Sequence, residues 1–496
     1  MSLRRNPNAE IRVWKRAMAG VGLASVLSIA GCAVGPKYNR PAVEVPPAYK
    51  EVGDWKPAQP NEQNLGGAWW QIFQDQQLNA LEDQINVSNQ NLKAAEAQYT
   101  QTRAVLRYYR ADYYPSITAG EAATRNRISN NRPPGHLSSN GATYNDYQIP
   151  VQLSYELDVW GRVRKTVESQ REQAQASAAD LATVNLSLHA QLALFYFQAR
   201  SLDAQEQLLN STVAQYEQAF QLTDTRFKGG LASEVEVQQA STQLETTRAQ
   251  AIDVGVQRSQ YEHAIATLVG TPAPSFAIPA AVATSSLPLI PVGLPSDLLQ
   301  RRPDVASAER SMAAANARIG VARGAYYPSI ILGAGFGEPN AGWQSTALAS
   351  LFAAPSRLWS LGLTATQTLF DAGKTRANVR IAGADYTAAV ATYRQTVLTA
   401  MEEVENGITG LASLDRAVTQ ADASVKSAQE AFDIATARYK GGVDTYLEMI
   451  TAQQVLLGNQ RQAVQVRGQQ FATAVYLVKA LGGSWSGNSS RLSRTN

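Results

Sequence analysis

Cysteine is nearly missing from this chain of 496 residues: Cys32 is the only one, so no disulfide forms within it and packing alone must hold the fold. Histidine is almost as scarce. His136, His189 and His263 stand in no metal-ligand spacing, and five methionines give no reason to favour soft metals. Charged residues make up only 17%, the formal net charge is +3, and the basic clusters gather near the N-terminus, so nucleic acid finds no footprint. A dinucleotide loop is absent too, because Gly333-Ala334-Gly335-Phe336-Gly337 is followed by Glu338 where the sixth position requires glycine. The chain therefore reads as a protein without cofactor, metal or catalysis of its own.

Proline is missing where it matters. All 21 prolines avoid residues 151–271 and 356–496, and such stretches suit very long helices. Residues 161–228 would span about 100 Å as one helix at about 1.5 Å per residue, and 373–440 repeat the pattern. No single globular core is that long. The helices make either an extended coiled coil or the wall of something hollow. A narrow seam supports this, with Leu78, Ile85, Leu92, Tyr99 and Leu106 on one rail and Leu81, Ser88, Ala95, Thr102 and Tyr109 on the other.

What is present is a duplication. Tyr113-Tyr114-Pro115-Ser116-Ile117 returns as Tyr326-Tyr327-Pro328-Ser329-Ile330, and Arg226-Phe227-Lys228-Gly229-Gly230 returns as Arg438-Tyr439-Lys440-Gly441-Gly442, displaced by 213 and 212 positions. The first repeat is expected over 76–282, with a helix, a β-hairpin near 114–158, a long helix 161–228 and a helix 231–270. The second is expected over 283–482, with a helix 303–325, a hairpin near 328–371, a long helix 373–440 and a helix 443–482, before a tail 483–496.

The hairpins rest on a period of two. Tyr147, Ile149, Val151, Leu153, Tyr155 and Leu157 alternate with Gln148, Pro150, Gln152, Ser154, Glu156 and Asp158. Trp359, Leu361, Leu363, Ala365 and Leu369 alternate likewise with Ser360, Gly362, Thr364, Thr366 and Thr368. That is one greasy and one wet face, over the 9 to 11 residues or so that a membrane strand needs. The connecting loops, Asn130-Asn131-Arg132-Pro133-Pro134-Gly135 and Glu338-Pro339-Asn340-Ala341-Gly342, are turn chemistry. The strand after Pro115 is less regular: Glu121, Arg125 and Arg127 share the phase of Ile117, so either a bulge resets it or the strand soon leaves the bilayer. Two hairpins supply four strands, a lipid-exposed sheet edge is forbidden, and barrels start at about eight strands. If the strands sit in a membrane, the chain must oligomerise. Alternation alone also fits two hairpins of a soluble sheet.

At the N-terminus, Arg4, Arg5, Arg12, Lys15 and Arg16 precede the apolar run Ala17 to Gly31, which is short for a spanning helix and reads as a signal peptide, residues 1–31. Leu27-Ser28-Ile29-Ala30-Gly31 before Cys32 resembles the processing box of bacterial lipoproteins, which implies acylation of Cys32 and an extended segment 32–75 behind it. The other reading is an ordinary signal peptide with a free thiol. Ala33, where Asp could stand, goes with outer-membrane delivery among the lipoproteins that it resembles.

Four motifs in order resemble one family, the outer-membrane factors of tripartite efflux pumps, in the lipoprotein branch serving resistance-nodulation-division transporters. They are Cys32-Ala33-Val34-Gly35-Pro36-Lys37-Tyr38 with Arg40-Pro41, Trp69-Trp70 with Phe73, Asp75, Leu78 and Leu81, Glu156 to Arg162, and Leu294 to Val305. The resemblance implies a mainly α fold with a membrane β part: a homotrimer whose helices build a periplasmic tunnel and whose four strands per chain share one twelve-stranded outer-membrane barrel. It implies a passive, gated duct for drugs and other small toxic compounds, partnered by a periplasmic adaptor and an inner-membrane transporter.

Gly229-Gly230 and Gly441-Gly442 are placed at two helix-hairpin turns, where glycine reaches positive φ freely. The resemblance makes those tips, with Arg226, Lys228, Arg438 and Lys440, the adaptor contact. Asp444 and Glu448, four apart, are expected on one helical face, where threefold symmetry would make carboxylate rings of a gate. Glu448 matches the first acidic position of the family's tunnel mouth, and Thr451 replaces the second. Arg301-Arg302-Pro303-Asp304 reads as a structural helix entry. Periodicity leaves two alternatives open, a duct for type I protein secretion and a lipid-anchored coiled-coil scaffold.

Overall fold

The computed structural model describes residues 33–50, 67–129, 141–282, 287, 288, 290, 301–334 and 342–483. Residues 1–31, Cys32, the loop residues 130–135 and 338–341, His136, the signature residues 294–300 and the tail from 484 lie outside the described residues.

A 3-10 turn, Trp69–Phe73, leads into α1 (Gln76–Ser88) and α2 (Gln90–Arg110). The heptad beat predicts one helix here, but Asn89 divides it. Its backbone is extended, with φ −64 and ψ 124. Its Oδ1 accepts from the Leu92 N–H at 2.9 Å, an N-cap for α2, and its Nδ2 donates to the Leu268 carbonyl at 2.7 Å. Gly270 passes so close, with φ +69, that a Cβ would stand 2.5 Å from the Ser88 carbonyl oxygen. The rail is buried at Leu78, Ile85 and Leu92 and only half-buried at Tyr99 and Leu106.

Strands β1 (Ser116–Ala119), β2 (Ala122–Arg127) and β3 (Thr143–Glu156) come next, then α3 (Arg162–Lys228) and α4 (Glu234–Leu268). The second half has α5 (Pro303–Gly324), β4 (Ser329–Ala334), β5 (Gly342–Ser345), β6 (Arg357–Leu358), β7 (Leu361–Thr366), α6 (Lys374–Lys440) and α7 (Tyr446–Ala480). Helices α3 and α6 each have 67 residues, and α4 and α7 each have 35. Helices α4 and α7 start three residues later than 231 and 443 because a short loop follows each turn. The last strand ends at Thr366, so Leu369 lies beyond it.

The chain forms two compact units. The first comprises Met1–Pro41, Thr100–Gln175 and Glu309–Ala391, and the second the rest. The first holds every strand of the described residues. Its helical part packs Ile319 and Ala322 of α5 on Ala382 of α6, and Ser169 of α3 donates to the Ala314 carbonyl at 3.1 Å. The segment after Cys32 lies against it: Val34 N–H donates to the Trp160 carbonyl at 2.9 Å, and the Tyr38 hydroxyl to Glu309 Oε1 at 3.0 Å. In the second unit Phe471 stacks on Phe197 and Phe73 meets Phe197 at a tilt, each 4.8 Å away. Buried Arg200 pairs with Asp203 at 2.7 Å, and Arg302 joins Asp304, Glu403 and the Ala480 carbonyl at 2.7, 2.6 and 3.0 Å. Arg302 thus fastens the start of α5 to α6 and to the end of α7, as a structural helix entry requires.

The sheet is antiparallel in four rows: β1 and β2 together, β3, then β4 with β5, then β7 with β6. Both outer rows pair on one side only, so among the described residues one chain leaves two open edges.

Candidate functional site

Each helix hairpin turns on the second glycine of its pair, Gly230 at φ +76 and Gly442 at φ +71. Leu231 N–H donates to the Arg226 carbonyl at 2.8 Å and Gly230 N–H to that of Phe227 at 2.8 Å; Val443 to Arg438 and Gly442 to Tyr439 repeat this at 2.9 and 3.1 Å. These are paired Schellman caps, and only glycine takes that φ without strain.

The basic residues at the tips are not alike. Arg226 lies over the ring of Tyr439 at 4.7 Å, tying the first turn to the second. Lys228 pairs with Asp224 at 2.6 Å on its own helix, and Lys440 is exposed at the end of α6. Arg438 grips Asp444 with two hydrogen bonds, at 2.5 and 3.0 Å. That contact lowers the Asp444 carboxyl below its ordinary range and raises the Arg438 guanidinium.

Asp444 does not share a helical face with Glu448. Thr445 is extended, with φ −80 and ψ 161, and caps a helix that begins at Tyr446, so Asp444 sits in the loop beside Arg438. Glu448 is in the first turn of α7, exposed, with no ion pair among the described residues. Beneath the tips Tyr439, Tyr446, Met449 and Ile450 form a core with Ala240, and a groove of about 570 Å³ runs between α4 and α7, lined by Val235, Gln238, Thr242, Leu447 and Thr451. Burial raises the Tyr446 hydroxyl to about 12.

At the sheet, register puts the apolar rows on one face. Leu153 stands opposite Ile117 and Ala334, Leu332 opposite Tyr155 and Leu363, and Ile330 opposite Ala365. In one chain this face is bare: Ile117, Leu361 and Leu363 are 68, 70 and 62% exposed. The first row keeps one register, from Ser116 opposite Ser154 to Arg127 opposite Thr143, so no bulge resets its phase. Arg125 and Arg127 fall beside Asn145 and Thr143, beyond the last apolar residue, Tyr147; they belong to a strand that has left the greasy band. Glu121 stays in the phase of that band. In the third row Ala334 faces Leu153 and Gly342 faces Pro150, so Gly342, expected in the connecting loop, is strand, and the chain reverses into the fourth row after Ser345.

Strand and helix meet at Asp158 and Asp371, which cap α3 and α6 by accepting from Val163 N–H at 2.9 Å and Thr375 N–H at 2.8 Å. At the first junction Trp160 stacks on Tyr327 at 4.8 Å and donates Nε1–H to the Pro328 carbonyl at 2.9 Å. The repeat counterpart of Tyr327 is Tyr114, which is 74% exposed, and Leu369 and Phe370 at the second junction are 92 and 87% exposed.

One buried cluster carries no signal in the sequence. His189 Nδ1 lies 2.6 Å from Glu82 Oε2, its Nε2 lies 3.3 Å from Asn86 Oδ1, and its ring stacks on Trp70 at 4.3 Å. Burial raises the Glu82 carboxyl to about 9 and lowers the imidazole to about 4, so at neutral pH both are uncharged and the acid donates to Nδ1. Residues 107 positions apart share no local pattern that could pair them. Among the described residues no cluster of His, Cys, Asp and Glu could hold a metal, and no helix is long and apolar enough to cross a membrane.

The family described as outer membrane efflux protein matches residues 81–271 and again 294–483. The toluene efflux pump outer membrane protein TtgF of Pseudomonas putida is 31% identical over 95% of this chain and 98% of its own length. Outer membrane protein OprJ of Pseudomonas aeruginosa is 32% identical over 95% and 97%. The solved structure of the outer-membrane channel OprN superposes with a TM-score of 0.84 at 27% identity, covering 92% of this chain and all of that one.

Proposed function

We propose that this chain, which belongs to the outer membrane efflux protein family, works as one of three identical copies that close a single barrel and a single helical tunnel. It is an outer-membrane component of an efflux pump, and it extends into the periplasm. The observation that carries the trimer is the mismatch between the junctions. Trp160 finds Tyr327 within the chain, whereas Tyr114 at one end and Leu369 with Phe370 at the other are left bare. A duplicated chain that repeats its own half-to-half contact between copies covers both. The same closure pairs the open edges, which hydrocarbon does not tolerate. Two copies would give eight strands, an interior that side chains fill, whereas three give twelve and room for a channel.

In this reading the conduit is passive and without chemistry of its own, and the energy is spent in the inner-membrane transporter. Cys32 carries the acyl chains that anchor the mature N-terminus in the outer membrane. Gly229, Gly230, Gly441 and Gly442 with Arg226, Lys228, Arg438 and Lys440 face the periplasmic adaptor, and the exposed tip residues leave them accessible. Asp444 and Glu448 line the periplasmic mouth. The Arg438 contact holds the Asp444 loop in place, so the resting gate is a matched pair rather than a bare ring of carboxylates. The cargo is small and toxic, solvents and antibiotics included.

Deleting the gene and challenging the strain with solvents, dyes and antibiotics tests this directly. Sensitivity to several compounds is expected, with rescue by the intact chain and weaker rescue when Cys32 is replaced by Ala. An unchanged profile across the panel contradicts the efflux reading.

A further inference from the structure

The wet face of the sheet is almost free of charge. Among the described strand residues it presents Ser116, Thr118, Thr124, Gln152 and Thr364, a few apolar residues such as Ile331 and Leu358, no base, and two acids, Asp146 and Glu156. Glu156 is compensated. The Arg162 guanidinium meets both of its oxygens, with Nε at 2.9 Å from Oε1. Asp146 has no such partner among the described residues. It accepts from the Gln148 side-chain amide at 2.7 Å and from that of Gln344 at 3.0 and 3.1 Å. Gln148 and Gln344 stand directly opposite each other on neighbouring rows, so two strands aim their amides at one carboxylate. Amides fix a carboxylate in position and cancel none of its charge. The result is a rigidly placed negative group, early in β3 and away from the end that leads into α3, on a face otherwise neutral.

We infer that Asp146 sets the cation preference of the barrel lumen, with Gln148 and Gln344 as its positioning residues. The inference rests on the reading that three copies close a barrel with the wet face inward. Threefold symmetry then makes a ring of three carboxylates at one level, and a carboxylate ring favours cations in a pore. A fixed charge acts over a Debye length, about 30 Å at 0.01 M salt and about 3 Å at 1 M, so the preference is a low-salt property.

The test is the reversal potential of purified protein in planar bilayers across a KCl gradient, with the tips unaltered. Asp146→Asn should lower the cation-to-anion permeability ratio about twofold or more near 0.01 M salt and change nothing near 1 M. Thr124 stands directly opposite Asp146 on the adjacent row, so Thr124→Asp in the Asp146→Asn background should restore the ratio. Channels of normal conductance with an unchanged ratio in Asp146→Asn, or failure of Thr124→Asp to restore it, overturn this assignment alone. A wild-type protein that opens no channel overturns the barrel reading and this inference with it.

Discussion

The two halves of the chain match residue for residue in the length of their long and returning helices and differ in what finishes their contacts. The junction that leads into the first long helix is completed inside the chain: its tryptophan lies on Tyr327 of the second half. The tip of the first half carries a full capping box, with Ser233 accepting from Glu236 N–H at 3.4 Å and Glu236 returning to Ser233 N–H at 3.2 Å. The second half is left open. Its junction exposes Leu369 and Phe370, and its tip cap, Thr445, makes no side-chain bond, the loop being held instead by Arg438 and Asp444. Duplication supplied two frames of one pattern, and within a single chain only one junction is filled: Tyr114 of the first half and Leu369 with Phe370 of the second stay exposed.

The largest effect is expected at the filled junction. Trp160→Ala removes a half-buried stacked ring and its hydrogen bond, and should lower unfolding free energy by about 2 to 3 kcal/mol, less than full burial would give. Thermal unfolding in detergent measures it. Leu369→Ser with Phe370→Ser should leave the helical content of a single chain unchanged.

A pH comparison separates the buried links between entry segments and long helices. The first half uses neutral Glu82 and His189, and the second uses the ion pairs of Arg302 with Asp304 and Glu403. Folded Glu82 keeps its proton to about pH 9, whereas the unfolded carboxyl loses it near its ordinary value of 4.5; folded His189 stays neutral down to about pH 4, whereas the unfolded ring protonates near 6.5. Between pH 4.5 and 6.5 the two differences cancel. From 6.5 to 9 the unfolded state binds fewer protons, and stability falls as pH rises. Glu82→Gln should abolish that alkaline decline, and its stability should instead rise between pH 4 and 6.5 and then level off. Midpoints of thermal unfolding across pH 4 to 9 decide it.

The smallest difference is at the tips. Ser233→Ala should destabilise the start of α4 by about 1 kcal/mol, whereas Thr445→Ala should change the start of α7 by only a few tenths. Hydrogen exchange of the first-turn amides reads each end separately.

Much of this frame was legible in residue order. The missing prolines marked both long helices, the glycine pairs marked both turns, and alternation marked the greasy row of β3 from Tyr147 to Tyr155. The misses have physical causes. The heptad beat runs through Asn89 without a flaw, because the break there depends on a hydrogen bond to Leu268 far along the chain. Spacing puts Asp444 on a helix because it does not reveal that Thr445 is extended. Glu82 and His189 meet only after folding, and the strand role of Gly342, which reads as turn chemistry beside Pro339 and Asn340, appears only when its register is read against both neighbours.

Closure between copies is tested most directly by a benzophenone amino acid at position 114, photoactivated in intact cells. Two- and three-chain products whose cross-linked peptide contains Leu369 and Phe370 are expected. A product confined to one chain, or none with the protein correctly inserted, would contradict that closure.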